Sequence, residues 1–181
     1  MHRFDLEQAL HQHAASDTAV AAGCAKFLAL RAREPRCFCR DAFPAHFTAS
    51  AWLVSGDGER ALLLHHRKLD RWLQPGGHAD GEADLARVAL REAAEETGLA
   101  GLAVEDAIFD LDAHRIPPRG SEPEHWHYDV RFVVRVTHSE RFRANHESRA
   151  MAWRAMPDIA ADAALDDSIR RMARRWLDRR G

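Results

Sequence analysis

The stretch from Asp84 to Thr97 constrains the fold more than any other part of the chain. It is rich in alanine, holds neither proline nor glycine, and is followed by Gly98 as a C-terminal stop, so it reads as a helix. Each helical residue advances by about 100°, which gathers Glu92, Glu95 and Glu96 onto one arc of roughly 100° together with Leu85, Val88 and Ala89. The opposite side carries Ala86, Leu90, Ala93 and Thr97 and is equally low in charge. A helix apolar on two sides packs between other elements, so the chain must build layers around it and present the three carboxylates into a cleft. Clustered carboxylates repel one another, and a hard divalent cation with oxygen ligands, magnesium or manganese, relieves that repulsion. The plainer reading is a solvated charged face on which Arg91 pairs with Glu95 at helical spacing. Helix geometry alone leaves both open.

Strand patterns surround this helix. From Ala45 to Val54, Phe47, Ala49, Ala51 and Leu53 alternate with Thr48, Ser50, Trp52 and Val54, a period of two. Ser55-Gly56-Asp57-Gly58 is a turn into a second strand at Ala61–His65, making a hairpin. Ala107–Leu111 and His125–Val136 read as strands, with the loop Pro117–Pro123 between them, and Ala150–Ala155 as a further short one. In His125–Val136 the residues Trp126, Tyr128, Val130, Phe132, Val134 and Val136 share one face, while His125, His127, Asp129, Arg131 and Arg135 share the other with Val133. Asp5 to about Arg33 is helical, broken near Ala15-Ser16-Asp17 and ended by Glu34-Pro35-Arg36, since proline disfavours helix in the residue before it. Leu165–Arg180 is a terminal helix with Asp166 and Asp167 near its start and arginines in its last turns, as the helix dipole favours.

The expected fold is therefore α/β of the α+β kind: helices on both sides of a mixed central sheet, preceded by a helical extension over residues 1–40, with the core domain and C-terminal helix in residues 41–181. A net charge of −2 supplies no basic excess to hold nucleic acid by counterion release. The longest apolar runs are too short to cross a bilayer, and the N-terminus lacks the apolar stretch of a signal peptide. Three cysteines, Cys24, Cys37 and Cys39, do not make a disulfide framework, so a cytoplasmic protein is expected. Cys37-Phe38-Cys39 reads as small semi-buried side chains rather than a ligand pair.

Upstream of the helix, Pro75-Gly76-Gly77-His78 reads as a tight turn in which backbone groups approach an ion or a phosphate. Together with Arg91-Glu92-Ala93-Ala94-Glu95-Glu96-Thr97-Gly98-Leu99, it closely resembles the box of the Nudix hydrolase (MutT-like) family. That pattern is a glycine, five residues, a glutamate, seven residues, then Arg-Glu-aliphatic-any-Glu-Glu-any-Gly-aliphatic. Gly77 lies fourteen positions before Arg91, as the pattern demands. One position departs: the isolated glutamate of the box falls on Ala83, flanked by Glu82 and Asp84. The Leu73–His78 segment resembles a less characterised branch of the family with a Gly-Gly-His turn before the box.

The resemblance implies a Nudix-like α/β/α sandwich and a metal-dependent hydrolase that cleaves a phosphoanhydride bond in a nucleoside-diphosphate-linked (NDP-X) substrate. By it, Glu95 and Glu96 are ligands of Mg2+ (or Mn2+), with the Gly77 carbonyl and Glu82 as further ligands, Glu82 standing in for the residue missing at Ala83. Glu92 is a ligand or the base that activates water, and Arg91 orients the carboxylates. Gly76, Gly77 and His78 would contact substrate phosphate, though a structural hydrogen bond accounts for His78 equally well. Glu147 is the candidate for a loop base or extra ligand, the alternative being an ordinary exposed glutamate.

Two other functions stay open. One is a catalytically weak Nudix-fold ligand-binding or sensor domain, which Ala83 favours and the intact Arg91–Glu96 core opposes. The other is an isoprenoid-diphosphate isomerase, for which no cysteine is convincingly placed. The partner implied is a small-molecule diphosphate, with no stable nucleic-acid or membrane partner. The N-terminal helices would either cover the site or join two copies in a homodimer. His114, His125 and His127, near Asp112 and Glu124, read as pocket lining or surface rather than a second metal site. Trp126 and Tyr128 read as core, unless one stacks on a base.

Overall fold

The computed structural model describes residues 4–16, 18–143 and 148–180. Its elements run α1 (Leu6–Ser16), a 3₁₀ turn (Thr18–Val20), α2 (Ala21–Arg33), β1 (Ala45–Val54), β2 (Arg60–His66), β3 (Arg71–Leu73), β4 (Gly76–His78), α3 (Leu85–Thr97), β5 (Leu102–Ile116), β6 (His125–Val136), β7 (Ser148–Ala155), α4 (Met156–Ala161) and α5 (Asp167–Arg180). The strands pair in the order β3-β2-β1-β6-β5, with β4 also paired to β1 and β7 to β2. This is a mixed sheet with flanking helices, as expected from the sequence.

Two compact units divide the chain, one of Met1–Ser50, Gly76–Ala89 and Glu105–Phe132, the other of Ala51–Pro75, Leu90–Val104 and Val133–Gly181. In the first, α2 buries Cys24, Phe27 and Leu30, a spacing of three that puts them along one side of the helix. The Phe27 ring lies 6.1 Å from Phe47 of β1 and 5.0 Å from Tyr128 of β6. Phe4 meets Phe132 edge-on at 5.5 Å. The helix boundary near Ser16 is where the sequence put it, but α2 starts only at Ala21, behind Val20, which makes no side-chain cap.

In the second unit, α5 buries Ile169, Met172, Ala173 and Trp176, the three-and-four spacing of an amphipathic helix. The Trp176 indole donates to the Gly58 carbonyl at 2.8 Å, which satisfies its one polar atom. β2 pairs with β7 from Arg60↔Ala155 to His66↔Ser148, and Val54↔Ala61 confirms the β1–β2 hairpin. The structure adds β3 and α4 to the elements read from sequence and extends β5 at both ends.

The Pro75–His78 segment is not the tight turn expected. Gly76–His78 is a strand antiparallel to β1, with Thr48↔His78, Ala49↔Gly77 and Ser50↔Gly76 as partners. The reason lies in packing, because a Cβ on Gly76 would sit 2.3 Å from Ser50 Oγ, 2.8 Å from Ser50 Cβ and 2.9 Å from the Ala49 carbonyl oxygen. Glycine is needed for close backbone approach rather than for a left-handed turn.

Gly76→Ala should lower stability by about 1–3 kcal/mol, the usual cost of forcing an extra methyl into a packed site. Gly23→Ala, with nothing within 4 Å of the new methyl, should raise it by about 0.5–1 kcal/mol, because glycine is a poor helix former. Urea denaturation of both variants measures the pair, and equal effects would contradict the packing account.

Candidate functional site

α3 carries the glutamates. Asp84 accepts from the Arg87 backbone N–H at 3.0 Å, an N-cap that fixes the helix start. Thr97 and Gly98 close it: the Thr97 hydroxyl donates to the Ala93 carbonyl at 2.5 Å, and Gly98 (φ +64) donates from its backbone to Ala94 at 2.9 Å. Within the second unit Arg91, Glu92, Glu95 and Glu96 follow one another on this helix but differ in exposure. Glu96 is buried, Glu92 is half-buried and Glu95 is exposed. The common arc read from sequence is thus graded from interior to solvent. Arg91 pairs with Glu92, its neighbour in the chain, at 2.8 Å.

Gly76, Gly77, His78 and Glu82 belong to the first unit. The two glycines are strand residues of β4. Glu82 is committed locally: one carboxylate oxygen accepts from the Asp84 backbone N–H at 3.0 Å and the other pairs with Arg87. Arg40 grips Asp80 with two hydrogen bonds of 2.6 and 2.5 Å, and the Gly81 N–H reaches the Phe38 carbonyl at 2.9 Å, so the segment after His78 is pinned to residues 38–40. Glu147 lies outside the described residues. Cys37 is buried and its thiol is pushed up by burial, which leaves it a poor thiolate ligand or acid–base group.

The first unit also holds a polar sheet face that sequence reading saw only in part. Alternation puts His46, Thr48 and Ser50 of β1 with His125, His127, Asp129 and Arg131 of β6 and Asp110, Asp112 and His114 of β5. At one end Asp129 accepts from the hydroxyls of Thr48 and Ser50 at 2.9 Å each and from Arg131 Nε at 2.8 Å. Arg131 also meets Asp110 at 3.2 Å and Asp112 at 3.3 Å. Burial alone would lower the Arg131 pKa, but Asp129, Asp112 and Asp110 outweigh it and hold the guanidinium charged.

At the other end five histidines meet. The His46 ring centroid is 5.3 Å from His78, 5.0 Å from His125 and 4.9 Å from His127. His127 in turn lies 5.0 Å from His78 and 5.5 Å from His114. Burial, reinforced by neighbouring cations and rings, depresses His46, carries His78 down to about 4 and takes His127 lower still. These rings are neutral near pH 7. His46 was the residue missed; a lone histidine opening an apolar strand gives no sign until the β1 and β4 register, Thr48↔His78, is known. Trp126, read as core, is 42% exposed.

Two outcomes follow. Above the ordinary histidine value of 6.5 the folded and unfolded chains both hold these rings neutral. Below it the unfolded chain binds protons that the folded one refuses, so stability should fall as pH drops from 6.5 towards 4. His78→Asn should flatten that slope in urea melts across this range, and an unchanged slope would refute the assignment. Arg131→Met should cost about 3–5 kcal/mol in the same urea melts by stranding buried carboxylates, and adding Asp129→Asn should regain only part of it, because Asp110 stays buried without its guanidinium.

Residues 44–176 match the family model described as NUDIX domain. Solved structures share the fold at low identity. An Ap4A hydrolase of C. elegans (binary complex) superposes with a TM-score of 0.57 at 18% identity, over 73% of this chain and 95% of that one. A MutT protein from Methanosarcina mazei gives 0.58 at 19%, over 74% and 94%. The E. coli dihydroneopterin triphosphate pyrophosphohydrolase gives 0.57 at 18%, over 74% and 95%. Among curated proteins, no sequence matches this one.

Proposed function

Because this chain belongs to the NUDIX domain family, we propose that it is a divalent-metal pyrophosphohydrolase that cleaves a nucleoside-diphosphate-linked (NDP-X) substrate by water attack on phosphorus. The observation that carries the reading is the buried end of the α3 carboxylate row. Glu96 is 8% exposed, in a position where a carboxylate is retained at a cost, and it follows Glu92 and Glu95 on the helix that bears the family's motif. An all-oxygen donor set of this kind fits Mg2+ (or Mn2+).

In this reading Glu95 and Glu96 hold the metal, which when bound neutralises phosphoryl charge and makes its water more acidic. Glu92 accepts the proton of the attacking water. Arg91, through its 2.8 Å contact, keeps the Glu92 carboxylate oriented. Among the neighbours whose names state an activity, the Ap4A hydrolase and a UDP-X diphosphatase support a nucleotide-linked substrate, while the dihydroneopterin triphosphate pyrophosphohydrolase supports phosphoanhydride cleavage in general. No helix among the described residues is long and apolar enough to cross a membrane, and no disulfide joins the three cysteines, which suits a reducing compartment such as the cytoplasm.

A second reading, a ligand-binding domain with little catalysis, draws on one observation. Ala83 stands where the family has a glutamate, and the adjacent Glu82 is engaged with Asp84 and Arg87.

The test is release of phosphate-bearing products from a panel of nucleoside-diphosphate derivatives with Mg2+ or Mn2+. Turnover of one compound is expected, with Glu96→Gln lowering kcat by about a hundredfold or more, the several kcal/mol that a lost metal contact removes. Metal-dependent binding of a compound without turnover would favour the second reading. Turnover indifferent to Glu96→Gln would refute Glu96 as a metal ligand.

A further inference from the structure

We propose that His46, His125 and His127 form a binding site for one transition-metal cation of the zinc class. A nitrogen atom from each lies within 4.8 Å of the others, and the hydrogen bonds around them decide which nitrogens are offered. His46 Nδ1 sits 3.2 Å from the Ala42 carbonyl and His125 Nδ1 2.8 Å from the Pro123 carbonyl. A carbonyl only accepts, so each Nδ1 carries the proton and each Nε2 presents a bare lone pair. This is the arrangement in which a metal-ligating histidine is held, its far nitrogen donating to a backbone carbonyl.

The near nitrogens converge. His125 Nε2 stands 3.2 Å from His127 Nε2, close to the roughly 3.4 Å that separates two nitrogens bound at ~2.0–2.1 Å to one tetrahedral ion. His46 Nε2 is buried without a hydrogen-bond partner, and its ring lies 5.0 Å from that of His125 and 4.9 Å from that of His127. A polar atom sealed away without a partner is costly in an ordinary core, and a shared cation satisfies all three. The ligands stand on β1 and β6, and His125 and His127, two residues apart on a strand, face the same way.

The donor set fixes the class of ion. Three imidazoles with no carboxylate among them suit zinc, cobalt, nickel or copper and disfavour magnesium. This chemistry is the opposite of the all-oxygen row on α3. His78, whose ring lies 5.3 Å from His46 and 5.0 Å from His127, is the nearest further imidazole, and otherwise water completes the fourth position.

The experiment uses the full chain, made without a histidine tag and stripped with chelator, titrated with Co2+ and then Zn2+. With excess Mg2+ present to occupy the α3 carboxylates, one Co2+ per chain is expected, with the visible absorption of four-coordinate cobalt, displaced by Zn2+. Zn2+ should raise the melting temperature of the wild type where Mg2+ alone does not. His125→Ala and His127→Ala should each weaken binding by at least about tenfold to a hundredfold, the scale set by metal-site substitutions, while Glu92→Gln with Glu95→Gln and Glu96→Gln leaves it intact. Circular dichroism identifies any variant that fails to fold, and the wild-type cobalt spectrum and melting shift then decide. Binding only weaker than about micromolar, an octahedral cobalt spectrum, binding that survives the histidine substitutions, or loss with the glutamate substitutions would each overturn the proposal.

Discussion

Asp129 is a carboxylate with 2% of its surface exposed, and much of the first unit is arranged around satisfying it. Its oxygens accept from Thr48, Ser50 and Arg131, and Arg131 answers two further aspartates on β5. A charge sealed from water must be paired and hydrogen-bonded or it unfolds its surroundings. The pairing is possible only when the even residues of β1 and the odd residues of β6 look the same way. A slip of one residue would turn every donor to the wrong side. The register that feeds Asp129 also sends Phe47 and Tyr128 the other way, where Phe27 of α2 meets them. Ser50, held by Asp129, then fills the space beside Gly76, so the glycine ahead of the family motif answers to a carboxylate more than fifty residues downstream.

The polar face and the glutamate helix use polar residues in different ways. On the face, three carboxylates surround one guanidinium, and the histidines pack against one another beside it. Along α3 the carboxylates grade from Glu96 in the interior to Glu95 in solvent, with Arg91 paired to Glu92. The first arrangement is built for rigidity, since buried networks tolerate little displacement. The second lines up acidic side chains of graded exposure along a single helix.

The long elements could be read from the sequence because each carries its own period. β1, β6 and α3 stand within one residue of where alternation and helical spacing put them. β3, β4 and α4 were invisible for physical reasons. Three residues show no period, and Pro75-Gly76-Gly77 carries the composition of a turn although a neighbouring side chain makes it a strand. β5 was read too short because the residues flanking Ala107–Leu111, Glu105 and Asp106 on one side and Asp112 and Arg115 on the other, are charged, and sheet pairing outweighed their poor propensity. The sorting of His125, His127, Asp129 and Arg131 onto one face was legible, but their burial was not, since burial depends on partners far away in sequence. His46 illustrates the same limit. The family itself was legible through Arg91–Leu99, a local motif whose spacing is set by one helix. The grading of its glutamates was not, because helical angle says which way a side chain points and nothing about what covers it.

The pairing of β2 with β7 has a consequence for how the chain comes off the ribosome. β2 is complete by His66, and its partner begins only at Ser148. Throughout the synthesis of the intervening chain, Leu62, Leu63 and Leu64, all buried at the end, lie on a strand with an open edge. Such edges recruit whatever strand arrives first, and contacts this distant in sequence close slowly. The nascent protein is therefore most exposed to wrong pairing in the interval before β7 emerges, and its yield in a cell should depend on chaperones that shield one apolar strand during that interval.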